Sequence, residues 1–149
     1  MFLAKFALLG LLASPNFNSG VESACSCLSK VSSGASVSRK VKYERKKSKA
    51  VFSGQVLEMV ERNTRDSYEN VVTFRVIETW KRVRTNTIKI ITPRASPYSC
   101  GYDFQAGETY LVYVERIDDE ELWTGICSRT MNLVNAAEDV RILGKGKRF

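Results

Sequence analysis

The stretch Val71 to Trp80, VVTFRVIETW, decides the fold class. β-Branched and aromatic residues dominate it, and Val72, Phe74 and Val76 alternate onto one face, the pattern of a half-buried strand. Upstream, Val51 to Val60 (VFSGQVLEMV) is a second β-prone run, in which Gly54 marks a bulge or bend. The polar segment Glu61 to Asn70 between them reads as turn. Downstream, Thr87 to Thr92 (TIKIIT) is a third strand stopped by Pro93, Thr109 to Glu115 (TYLVYVE) a fourth after the turn at Ala106-Gly107, and Leu122 to Cys127 (LWTGIC) a fifth. Asp118 to Glu121 is a solvated hairpin loop, and Ser29 to Ser38 and Arg94 to Ser99 are loops. Asn135 caps a helix over Asn135 to Leu143, with Ala136, Val140 and Leu143 at helical spacing and Gly144 ending it. Five short strands and one late helix predict a mainly β chain, a five-stranded OB-like Greek-key barrel with a C-terminal helix. A β-sandwich is the alternative architecture.

The 149 residues suffice for one domain. Residues 1–24 read as a secretory signal peptide. Lys5 precedes the apolar run Phe6 to Ala13 (FALLGLLA), which is far short of the roughly 20 residues a bilayer span needs, and Pro15 and polar residues follow it. Cleavage after Ala24 would make Cys25 the first residue, but puts Glu22 where a small residue is preferred. Cleavage after Ser23 puts Val21 and Ser23 at the recognition positions and leaves Ala24 ahead of Cys25. The expected product, residues 25–149, is a secreted, extracellular monomer without a membrane segment.

All four cysteines, Cys25, Cys27, Cys100 and Cys127, lie after the signal. An even count in an exported domain implies two disulfides, with three connectivities open. Cys25 and Cys27 stand too close to bridge each other, so each reaches a distant partner across a loop of roughly 75 to 100 residues, worth about 4 kcal/mol apiece in the chain-entropy model. Zinc is the competing use of Cys-Ser-Cys. The one-residue spacing is tighter than that of zinc fingers, no second close pair exists, and the chain has no histidine. The lack of histidine also excludes serine–histidine and cysteine–histidine catalysis. With scattered carboxylates besides, the chain is expected to be no enzyme and to need no cofactor.

The net charge is +7, much of it in Arg39 to Lys49 (RKVKYERKKSK). Arg39, Lys40, Lys42, Arg45, Lys46, Lys47 and Lys49 are a candidate polyanion patch for heparin-like glycans or matrix; the plainer reading is a solvated connector. Export argues against nucleic acid as partner. Phe74 and Trp80, with Tyr110 and Tyr113, are either base-stacking positions on an OB face or core, and core is the commoner fate of aromatics.

Cys25-Ser-Cys27 after a signal, Ala50 to Gly54 (AVFSG), Cys100-Gly-Tyr102, Gly107 to Val112 (GETYLV) and Cys127-Ser-Arg-Thr130 together resemble the netrin-like domain. Within it, the likeness is to the inhibitory domain of tissue inhibitors of metalloproteinases, and it covers Cys25 to Gly144. The resemblance implies an OB-like barrel and the pairings Cys25–Cys100 and Cys27–Cys127. It also implies a partner, a zinc metalloproteinase. The free α-amine and carbonyl of Cys25 would chelate the enzyme's catalytic zinc and displace its water, and Ser26 would enter the pocket beyond the scissile bond. Cys27, Leu28 and the segment Ser96, Pro97, Tyr98, Ser99 and Cys100 would complete the inhibitory ridge. The chain departs from the family in two respects. It lacks cysteines for the third inhibitory-domain disulfide, and no counterpart of the vertebrate inhibitors' disulfide-rich C-terminal domain follows the helix. The basic stretch 39–49 matches no signature of the family.

Overall fold

The computed structural model describes residues 25–28 and 30–149; the expected signal peptide and its cleavage site lie outside them. No helix among the described residues is long and apolar enough to cross a membrane. In chain order the elements are α1 (Val37–Lys47), β1 (Ala50–Asn63), β2 (Tyr68–Lys81), β3 (Thr87–Pro93), β4 (Thr109–Val114), β5 (Arg116–Asp118), β6 (Glu121–Trp123), β7 (Met131–Asn132), a 3-10 turn (Leu133–Asn135), α2 (Ala137–Leu143) and β8 (Lys147–Arg148).

The strands form a single sheet in the order β5-β6-β3-β2-β1-β4-β7, with β8 beside β2. β1, β2 and β3 make an antiparallel meander. β4 joins the free edge of β1, and β6 runs parallel to β3. β4 and β5 are successive parts of one run of chain broken at Glu115, whose amide donates to the Trp123 carbonyl at 2.8 Å. The two ends of the sheet therefore meet in one bent strand, and β1-β2-β3-β6-β5/β4 curls into the five-stranded, OB-like circuit that the strand count predicts. The strands beyond five come from the break at Glu115 and from the two-residue β7 and β8.

Alternation explains what each strand buries. Phe52, Val56, Val72, Phe74, Val76 and Ile90 point inward with Phe104, Tyr110, Val112 and Val114. The rings of Phe52, Phe74, Phe104 and Tyr110 meet edge to face, with centroids 4.9–5.5 Å apart. Val51, Leu111 and Tyr113 face outward, yet are covered by Ala136, Val140 and Leu143 around α2. Burial on both faces is why TYLVYV reads as continuously apolar. Phe74, Tyr110 and Tyr113 are buried, and half-buried Trp80 donates its indole N–H to the Gly144 carbonyl at 2.7 Å, so the base-stacking alternative is overturned in favour of core.

Four local expectations are corrected. Residues 39–47 belong to a capped helix, not a connector. Glu61 to Asn70 is mostly strand, because β1 and β2 continue as an arm, edged at its base by the end of β3, whose turn spans only Thr64 to Ser67. The fifth strand stops at Trp123, since the chain must turn there to bring Cys127 back. Asn135 ends the 3-10 turn, so that Ala136, without a side-chain cap, precedes α2. The bulge expected at Gly54 is present as a register shift between Ser53 and Gly54.

Candidate functional site: a disulfide-pinned ridge

Two bridges, Cys25–Cys100 and Cys27–Cys127, tie the start of the described chain to two separate loops of the barrel. The first loop connects β3 to β4 and the second follows β6. Cys25 Sγ lies 3.7 Å from Cys127 Sγ, so the bridges stack beside one another. The three sulfurs of Cys25, Cys27 and Cys127 fall within 4.8 Å, but each is bonded in a disulfide, so the zinc use of Cys-Ser-Cys is overturned.

The loop 94–100 is held by its own hydroxyl groups. Ser96 Oγ accepts from the Tyr98 amide at 3.2 Å, and the Ser99 amide donates to the Ser96 carbonyl at 3.2 Å. Ser99 Oγ donates to the Arg94 carbonyl. The Ile126 amide donates to the Cys100 carbonyl at 2.9 Å, joining the two bridged loops. Close approach requires glycine on both sides: a Cβ on Gly101 would strike the Pro93 carbonyl, and one on Gly125 the Cys100 carbonyl.

The sequence-predicted ridge residues come together here. Ser26, Leu28, Ser96, Pro97 and Tyr98 are exposed, Leu28 at 93% and Tyr98 at 67%. Ser99 and Cys100 are half-buried beneath them. These residues themselves carry hydroxyls and apolar groups, their anchors are covalent, and at Cys27 and Leu28 the surface borders a cleft of about 650 Å³ lined also by Lys40, Lys47 and Arg129.

Two residues, Arg94 and Tyr68, and the contacts made by Cys127-Ser-Arg-Thr130 were not foreseen from sequence, where that run counted only toward the resemblance. Arg94 pairs with Glu61 at 2.6 Å and lies 5.5 Å from the ring centroid of Tyr68, coupling the loop to the β1–β2 arm. Tyr68 is 65% exposed and adds a second aromatic to this side of the molecule. Cys127-Ser-Arg-Thr130 is fastened by polar contacts: Tyr113 N–H donates to Thr130 Oγ1 at 3.0 Å, Thr124 Oγ1 donates to the Tyr113 carbonyl at 2.8 Å, and Arg129 forks onto Asp139 of α2. Tyr113 also donates its hydroxyl to Asp139 at 3.0 Å. Burial, then the Asp139 charge, holds that phenol far above its ordinary range. Asp139 and its hydrogen bonds raise the Arg129 pKa, so the guanidinium stays charged. The dense polar run CSRT was the available signal for this network.

The candidate polyanion residues lie on α1 and the turn after it, and two of them, Lys40 and Lys47, face the cleft that Cys27 and Leu28 also line. Glu44 is the one acid of that helix; it is buried, pairs with Lys47 at 3.4 Å and has its pKa raised by burial.

Fold and site together define a disulfide-tied OB-like barrel that presents a rigid N-terminal ridge. No family model matches the chain, and no curated protein matches it.

Proposed function

We propose that this chain is a secreted inhibitor of zinc metalloproteinases that acts through Cys25 once export has made it the first residue. The observation that carries the reading is the convergence of both bridges on Cys25 and Cys27 beside loop 96–100. Two strands of chain, far apart in sequence, form one uncharged, pre-ordered edge, and pre-ordering lowers the cost of entering an enzyme cleft. An α-amine, with an ordinary pKa of about 7.7–8.0, gives up its proton readily to a metal. With the adjacent carbonyl it would fill the positions that a catalytic zinc keeps open for water and substrate. Ser26 would then occupy the neighbouring side-chain pocket, flanked by Leu28, Pro97 and Tyr98. The resemblance to the netrin-like inhibitory domain supports this reading, as do the bridges themselves, which belong to oxidising compartments.

The test is an N-terminal sequence and intact mass of the exported protein, followed by inhibition of a zinc metalloproteinase. A chain starting at Cys25 should inhibit, and the same chain with one residue added before Cys25 should not, its melting temperature unchanged. Equal potency of the two forms would refute chelation by the terminus.

A further inference from the structure

Helix α1 carries six cations, Arg39, Lys40, Lys42, Arg45, Lys46 and Lys47. Three are engaged, Lys40 and Lys47 on one flank of the helix and Arg45 on the other. Lys47 pairs with Glu44, Lys40 donates to the Ser33 carbonyl at 2.9 Å, and Arg45 reaches the Trp80 carbonyl at 3.4 Å. The other three, Arg39, Lys42 and Lys46, have no side-chain hydrogen bond or ion pair among the described residues. They stand at i, i+3 and i+7, on one face of the helix, spread over about 10 Å of its length.

That face is not convex. Lys30, Arg39, Lys42, Tyr43 and Lys46 line a cleft of about 500 Å³, and Lys42 and Lys46 continue into a second, of about 360 Å³, with Arg45 and Lys81. Lys81 donates to the Arg45, Lys46 and Ser48 carbonyls that end the helix, which brings one more charge to the track. Burial and repulsion from Arg45, Lys49 and Arg82 lower its pKa.

Folding alone does not account for the free stripe. Cations in the last turn suit the helix dipole, but Arg39 sits in the first turn, where they oppose it, and no acid stands there to compensate. We infer that the Arg39–Lys42–Lys46 face of α1, with Lys30 and Lys81 at its rims, is a docking track for a linear sulfated polysaccharide. A single anion would meet these groups one at a time, whereas a polyanionic chain meets them in series. Base stacking has little purchase here, because half-buried Tyr43 is the one aromatic ring of α1 and no large apolar side chain of the helix is exposed. The same fact disfavours a membrane surface, into which an interfacial helix inserts an apolar face; the helix's Val41 is fully buried. The choice of a sulfated glycan rests on the export in the reading above and not on inhibition.

The experiment is salt-gradient retention of the disulfide-bonded protein on immobilised heparin and on chemically desulfated heparin. The variant Arg39→Gln, Lys42→Gln, Lys46→Gln is compared with Arg65→Gln, Lys89→Gln, Lys145→Gln, which removes equal charge elsewhere. The stripe variant should lose about tenfold or more in affinity at physiological salt and the control less than threefold. Arg39→Lys, Lys42→Arg, Lys46→Arg should keep wild-type retention, which separates loss of charge from loss of fold. Equal losses in the two glutamine variants, or equal retention on desulfated heparin, would overturn the proposal. Equally tight binding to duplex DNA or to vesicles containing phosphatidylserine would overturn the assignment to a sulfated glycan. Inhibition by the stripe variant starting at Cys25 is read separately, so failure of either proposal leaves the other testable.

Discussion

The ridge and helix α1 are close in sequence and opposite in chemistry. The ridge is uncharged, fixed by two covalent bridges, and exposes Leu28 and Tyr98. The helix exposes no large apolar group and carries a stripe of cations with no side-chain partner among the described residues. A surface of the first kind selects by shape at contact, with strength that salt hardly changes. One of the second kind attracts at range and weakens as salt screens it over roughly 8–10 Å. The same small barrel thus offers two separable modes of recognition, and the following variants probe that separation.

The largest effect is expected from Cys27→Ser with Cys127→Ser. The bridge spans 100 residues, an effective loop of about 30 while Cys25–Cys100 stands, and its removal should cost about 3–4 kcal/mol in urea unfolding. Inhibition should fall with it, while molecules that remain folded keep their heparin retention. Joint loss of both in folded protein would mean that the two surfaces are one.

Next is Arg129→Ala, which strands Asp139, whose side chain is 4% exposed. A loss of about 3 kcal/mol is expected, against about 1 kcal/mol for Tyr113→Phe, which removes one hydrogen bond to the same carboxylate. Equal costs would show that Arg129 does not anchor the Cys127 loop.

A smaller effect follows from Glu44. Burial raises its pKa from 4.5, with Lys47 and Arg129 partly opposing. Between the ordinary and raised values the folded chain holds a proton that the unfolded chain has released. Stability therefore falls as pH rises through that window and is fully favoured below it. Glu44→Gln should flatten the decline in denaturation midpoints above pH 4.5, leaving the part due to Glu115, also raised by burial. Glu121, whose pKa Arg62 lowers, acts in the opposite sense at more acidic pH. An unchanged slope would remove Glu44 from the account. The smallest stability change is expected from the triple glutamine variant of α1, within about 0.5 kcal/mol per position.

What the sequence made legible follows burial. Val72, Phe74 and Val76 alternate because one face of β2 fills the barrel, and Gly54 announced its bulge because a Cβ there would crowd the Arg75 carbonyl. The β1–β2 arm was not legible, since what it buries is a polar clamp, Glu69 under Arg62, and not an alternating apolar face. Helix α1 was hidden by its own charge: Val41 and Glu44 are its buried residues, and its support comes from the Ser36 cap, the basic last turn and Lys81, more than from an apolar stripe. The choice of disulfide partners followed from family resemblance alone, because spacing excluded only a Cys25–Cys27 bridge and left two pairings open. The polar clamp of Arg129 on Asp139 joins residues ten apart through tertiary packing, which no local pattern reveals.

The central claim, chelation by Cys25, is tested most directly on a zinc metalloproteinase reloaded with cobalt, whose visible absorption reports the ligands at the metal. Adding the chain that begins at Cys25 should change the cobalt spectrum in step with inhibition, and the same chain acetylated at its α-amine should do neither. Inhibition with an unchanged cobalt spectrum would contradict chelation and leave the ridge, at most, a surface that blocks the cleft without touching its metal.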